Sequence, residues 1–119
     1  MGGQTGQMLK RALLLAAFAA TPNYAVVQRH VIGQSGGWDY LTYAAPTHRL
    51  YISRSDRVLV VDADNGKIVA TIPGTDGVHG IALVPKLGRG FTSNGRANTL
   101  TEFDLATSKV LRTIAVDGK

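Results

Sequence analysis

The chain contains no cysteine among its 119 residues. This absence excludes a disulfide framework, a thiolate metal site and a cysteine nucleophile. Histidine is scarce, and the three present (His30, His48 and His79) show neither a His-x-His pattern nor zinc-ligand spacing. We therefore expect no metal and no cofactor. Aromatic residues make up 7% and charged residues 18% of a sequence that is 45% hydrophobic, a composition typical of a globular domain.

Several functional signatures are also missing. The glycine-rich stretch 33–37 lacks the Lys-Ser/Thr that a phosphate-binding loop requires, and no Gly-x-Ser-x-Gly nucleophile motif occurs. The net charge is +5, but the basic residues are scattered and form no dedicated nucleic-acid stripe. These absences argue against common enzyme classes without naming a function.

The N-terminus has the three-part layout of a secretory signal peptide. Lys10 and Arg11 precede an apolar run over 12–20, and Pro22 then ends the helix. A run of this length is far below the about 20 residues of a membrane-spanning helix, so no stable membrane span is expected. We predict a helical signal peptide over 1–25, cleaved after Ala25 or alternatively after Ala19, and a periplasmic or secreted protein. The alternative is a buried N-terminal helix.

Two segments of the remaining chain repeat each other, 37–74 and 75–119. The spacing is 39 residues between the prolines, 40 between the aromatic residues and 42 between the aspartates, which predicts one insertion before Phe91 and two more before Asp104. The aligned pairs are Pro46 with Pro85, Tyr51 with Phe91, Asp62 with Asp104, and 66–72 with 108–114.

Each repeat is expected to contain four short strands, because β-branched and aromatic runs alternate with turn residues. The predicted strands are 40–44, 49–53, 57–62 and 67–72, then 80–84, 90–93, 99–104 and 109–114. The fold class is therefore all-β, with two four-stranded antiparallel meanders typical of β-propeller blades, and 26–36 forms a linker or an edge strand. Asp62 and Asp104 recur at the end of the third strand, where we expect them to accept bonds from turn amides.

The segments Tyr51-Ile52-Ser53-Arg54 and Phe91-Thr92-Ser93-Asn94 resemble the Tyr-Val-Thr-Asn signature of YVTN-type β-propeller repeats. The resemblance covers 37–119 and is weaker in the first repeat, where Arg54 replaces the asparagine. Its secreted members, the YncE-like periplasmic proteins, are seven-bladed. The resemblance thus implies that the chain is an N-terminal fragment, with 114–119 leading into a third blade and the remaining blades as partners. The alternative is closure by oligomerisation, and we expect the chain alone to associate.

Propellers generally bind ligands at the face that carries the loops entering strand one and the loops joining strands two and three. By this resemblance, the candidate ligand-binding residues are Trp38, Asp39, Tyr40, Arg54, Arg57, His79, Asn94 and Arg96. They offer stacking surfaces, an imidazole and anion-binding donors. Alternatively, Trp38 and Tyr40 plug the channel of the ring.

We favour an exported, non-catalytic binding or scaffold protein that takes a small molecule, a protein or a polyanion. One alternative is a lactonase-like or hydrolase-like propeller enzyme, in which Asp39 or His79 joins residues of further blades. The other, which the resemblance to YncE-like proteins implies, is single-stranded nucleic-acid binding, with Trp38 and Tyr40 stacking on bases and Arg54, Arg57 and Arg96 contacting phosphates.

Overall fold

The computed structural model describes residues 22–117. The predicted signal peptide therefore falls outside the described residues except for 22–25, which are exposed and carry no helix or strand. Within 22–117, no helix is long and apolar enough to cross a membrane.

In this part of the chain, two four-stranded antiparallel meanders make up the fold, as the sequence predicts. In each sheet the strands lie in chain order, so that every strand pairs with its neighbours in sequence. The first sheet contains β1 (Leu41–Ala44), β2 (Arg49–Arg54), β3 (Arg57–Asp62) and β4 (Ile68–Ile72), and the second contains β5 (Val78–Val84), β6 (Arg89–Asn94), β7 (Thr99–Asp104) and β8 (Val110–Ala115).

The first two strands of each sheet are joined by a short 3₁₀ turn. The turns Ala45–Thr47 and Pro85–Leu87 end at His48 and Gly88, which both adopt positive φ, 49° and 63°. Across these two strands and the turn between them, equivalent residues of the two repeats are a constant 40 positions apart. Pro46 therefore aligns with Lys86. The predicted alignment of Pro46 with Pro85 and the insertion before Phe91 are therefore wrong. The extra residues of the second repeat lie instead between β6 and β7.

The two sheets are stacked in the same orientation. We call the two faces of each sheet its front and its back. The front of the first sheet carries Tyr51, Val58, Val60 and Ile72, and its back carries Ile52, Leu59 and Val61. The equivalent front of the second sheet carries Phe91, Leu100, Glu102 and Ile114, and its back carries Ile81, Thr92, Thr101 and Phe103.

The main core lies between the front of the first sheet and the back of the second. Tyr51 and Phe103 meet there with ring centroids 5.9 Å apart. The Thr42 hydroxyl also donates to the Ile81 carbonyl at 2.9 Å, which ties β1 to β5. Because the front of one unit meets the back of the next, the packing is head to tail.

Residues 30–37 form a strap that covers part of the back of the first sheet. Ile32 packs on Ile52, Leu59 and Val61. The strap is not a strand, and it is held by side chains: Arg57 donates to the Ser35 carbonyl at 2.7 Å, and Arg54 donates to the carbonyls of Gly33 and Gln34. The predicted linker 26–36 therefore contributes to the packing.

A connector, residues 73–77, joins β4 to β5 and is hydrogen-bonded to both sheets. On one side, Gly77 and Val78 donate their amides to the Ser55 carbonyl, at 2.7 and 3.1 Å. On the other, the Gly95 amide donates to the Gly77 carbonyl at 2.9 Å. Gly77 has a φ of 71°, and a Cβ there would collide with the backbone of Arg96. This position of the connector therefore requires glycine.

Candidate functional site

The loops at one end of the two sheets form an open cleft of about 410 Å³. It lies where the segment entering β1, the β2–β3 turn, the start of β5 and the β6–β7 loop meet. The cleft is lined by Gly37, Trp38, Asp39, Ser55, Gly77, Val78, His79 and Arg96. Four of the eight candidate residues predicted from the sequence are thus brought together.

Asp39 and His79 pair across the junction of the two repeats. The Nδ1 atom of His79 lies 2.5 Å from Oδ2 of Asp39. A carboxylate can only accept, so Nδ1 carries the proton and a neutral imidazole keeps its lone pair on Nε2. Gly95 lies beside this ring edge, and a Cβ at that position would approach Nε2 to 3.3 Å. The pairing therefore fixes both the tautomer and the orientation of His79.

Arg96 supplies positive charge to the cleft. Its Nη1 donates to Oδ1 of Asp76 at 2.9 Å, and its side chain is 72% exposed. One guanidinium edge is thus fixed by the connector, while the remaining N–H groups face solvent. Trp38 also lines the cleft and is 73% exposed, so its indole face is free for stacking.

Ser55 belongs to the cleft but was not among the candidate residues. It has a φ of 56° in the two-residue β2–β3 turn, and its Oγ accepts the Gly37 amide at 2.9 Å. The bond fixes the loop that carries Trp38 and Asp39. The turn is recognisable in the sequence, but its bond to a residue 18 positions earlier is not.

The other four candidates lie outside the cleft. Arg54 and Arg57 are bound to the strap, as described above. Asn94 is buried on the back of the second sheet, where it accepts from Thr92 at 2.8 Å and donates to Thr101 at 2.8 Å. Tyr40 lines a separate groove beside the front of the second sheet. Arg54 and Arg57 are thus occupied by carbonyls of the strap. Of the three arginines predicted to contact phosphates, Arg96 is the one that lines the cleft.

Asp39 and His79 could supply two ligands to a metal ion. Within residues 22–117, no third histidine, aspartate or glutamate joins them to complete such a site. No protein-family model matches the chain, and no curated protein matches it either.

Proposed function

We propose that this chain is an exported binding protein built from two β-propeller blades of the YVTN type, and that its cleft takes a small planar anion. The observation that carries the proposal is the pairing of Asp39 with His79. One repeat supplies each partner, so the site exists only when the two sheets are stacked.

The chemistry of the ligand follows from the groups that line the cleft. Trp38 offers an exposed indole face to a planar ring. Arg96 offers free guanidinium donors to a carboxylate or phosphate, and Nε2 of His79 offers an acceptor. A planar ring that carries an anionic group and a hydrogen-bond donor satisfies all three.

Export is supported by the exposure of the predicted cleavage region. Tyr24, Val26 and Val27 are at least 79% exposed, and the contacts of the strap begin at His30. Cleavage after Ala25 would therefore leave the packing intact and would lower the net charge from +5 to +3, because Lys10 and Arg11 are removed. Expression of the full sequence should yield a periplasmic product that begins at Val26 by mass spectrometry.

The chain's single tryptophan makes the binding test direct, because Trp38 reports on its own site. The para-hydroxybenzoate and para-aminobenzoate anions, each a planar ring with a carboxylate and a hydrogen-bond donor, should quench its fluorescence saturably, whereas acetate should not. His79→Ala and Arg96→Ala should each weaken binding about tenfold, and Lys86→Ala, exposed in the distant 3₁₀ turn, should not. Quenching by acrylamide without saturable quenching by any planar anion would contradict the proposal.

A second candidate, hydrolysis, is favoured by the same dyad. A carboxylate that holds Nδ1–H leaves Nε2 as a general base able to activate a water molecule. If so, hydrolysis of an aryl ester or lactone should fall on Asp39→Asn, with and without added divalent metal. Equal rates for the original chain and this variant would leave binding as the function of the cleft.

A further inference from the structure

The front of the second sheet is an uncovered copy of a surface that is buried in the first. On the first sheet, Tyr51, Val58 and Ile72 are 3%, 0% and 0% exposed, because the second sheet packs on them. The positions that correspond to them on the second sheet are Phe91, Leu100 and Ile114, and all three are only half-buried. The two sheets share their register, so the same kind of partner fits both fronts.

The back of the first sheet is the complementary surface, and the strap covers it incompletely. Ile81 on the back of the second sheet is 9% exposed, since it packs on the first sheet. Its equivalent on the back of the first sheet, Leu41, is 57% exposed. The strap thus covers Ile52 and Leu59, as a preceding sheet would, but leaves Leu41 exposed.

The strap is also weakly attached. Its polar contacts are the bonds from Arg54 and Arg57 to three carbonyls and the bond from the Gly37 amide to Ser55 Oγ, and it pairs with no strand of the described residues. Ile32 is its main apolar anchor. Displacing it breaks no sheet ladder, so the back of the first sheet can be opened without unfolding either meander.

We propose that this chain assembles head to tail with a second copy of itself. The front of the second sheet of one copy docks on the back of the first sheet of the next and displaces its strap. The occupant is argued from the packing inside the chain, where a front already meets a back with the same residue positions. Such a contact is heterologous and yields a ring when the rotation closes and a filament when it does not.

On the front of the second sheet, Glu102 and Arg112 face each other across β7 and β8, at the positions of Val60 and Ala70, and form an ion pair. Glu102 replaces Val60 at the centre of the front and is 8% exposed. Arg89 lies 3.4 Å from it, and Arg112 donates to its other oxygen. Docking therefore buries an ion-paired group, which costs far less than burying an isolated carboxylate.

The orientation can be tested by cross-linking, since the chain has no cysteine of its own. The Thr42–Ile81 contact inside the chain becomes an Ala82–Leu41 contact between copies. A mixture of Ala82→Cys and Leu41→Cys chains, both starting at Val26, should form a mixed disulfide at least tenfold faster than either variant alone. Faster pairing of Ala82→Cys with itself would mean symmetric docking and would overturn the proposal.

Sedimentation velocity tests the competition with the strap. The chain starting at Val26 should associate reversibly as its concentration rises, and Leu100→Glu should weaken association at least tenfold. Ile32→Ser should strengthen it severalfold, because the strap leaves more easily. Leu87→Glu, exposed in the 3₁₀ turn, is the matched control and should change nothing. A circular dichroism spectrum that matches the original chain establishes that each variant is folded, and a monomer at every concentration would overturn the proposal.

Discussion

At the scale of single residues, one charged pair is repeated at the same place in both sheets. Arg49 and Arg89 donate to Asp62 and Asp104, at 2.8 and 3.2 Å. Each aspartate also accepts amides of the turn that follows, from Asp64 at 3.0 Å and from Thr107 at 2.8 Å. The prediction that these aspartates are turn acceptors is confirmed, and their short side chains explain why the position recurs.

These bonds make the stability of the chain sensitive to acid. Turn amides, and more weakly the arginines, hold the pKa of Asp62 and Asp104 below its ordinary value of 3.8. A lowered folded-state pKa contributes stability above the unfolded pKa, and this contribution is lost as pH falls through the folded pKa. The urea concentration at the unfolding midpoint should therefore decrease as the pH is lowered from 5 to 3.

The double variant Asp62→Asn/Asp104→Asn should lose part of this pH dependence, because asparagine still accepts from the turn amides but does not titrate. Asp117→Asn, an exposed position outside both turns, is the matched control. An equally steep acid loss in the double variant would assign the effect to other groups.

A second residue-scale constraint is the space that Gly90 leaves for Phe103. Gly90 pairs with Phe103 across β6 and β7, and a Cβ there would collide with the aromatic ring. Gly90→Ala should destabilise the fold by about 1–3 kcal/mol in urea unfolding. Phe103→Leu should recover part of the loss when combined with it. Strictly additive losses would mean that the two positions do not compete for space.

At the scale of elements, the second sheet packs on the first partly through a buried polar cluster. Asn94 bonds Thr92, Thr99 and Thr101, and Thr101 donates in turn to the Gly74 carbonyl at 3.2 Å. The cluster pins β6, β7 and the connector together where the first sheet has Ile52 and Leu59. It replaces hydrophobic contact with directional bonds.

Asn94→Ala should therefore cost about 1–3 kcal/mol, because it removes the acceptor of the buried Thr92 hydroxyl. Ser93→Ala, on the opposite face of the same strand, removes one exposed bond to Gly80 and should cost less. Urea unfolding of both variants measures the difference, and equal losses would contradict a structural role for the cluster.

Much of this element structure is encoded locally. The predicted bounds of β3 and β7 match the structure, and the others differ by one or two residues, because β-branched runs end at clear turn residues. Strand alternation also predicts the face on which Asn94 lies. It shares that face with Thr92 and Gly90, and it therefore faces the first sheet. The bonds of Arg54 to the strap are not encoded in this way, since they join residues 20 positions apart through backbone carbonyls. The Asp39–His79 pair likewise depends on how two sheets stack.

At the scale of the whole molecule, the strap stabilises the first sheet by covering part of its back, where a further sheet could otherwise pack. Ile32→Ala should cost about 1–2 kcal/mol, less than the about 2–5 kcal/mol of a fully buried isoleucine, because Ile32 is half-buried. Val31→Ala, at a neighbouring position that is 91% exposed, should be neutral. Urea unfolding at a concentration where the chain is monomeric isolates this effect, and equal losses for the two variants would mean that the strap adds no stability.

The connector has a consequence for geometry more than for stability. Ser55 and Gly95 hold it from the two sides, so its length and bonds set the angle between successive sheets. If copies stack as proposed, that joint recurs once in every chain, and an error of a few degrees accumulates along the array. Inserting one residue at Gly74 would change the curvature of an assembly, and with it the number of copies that close a ring.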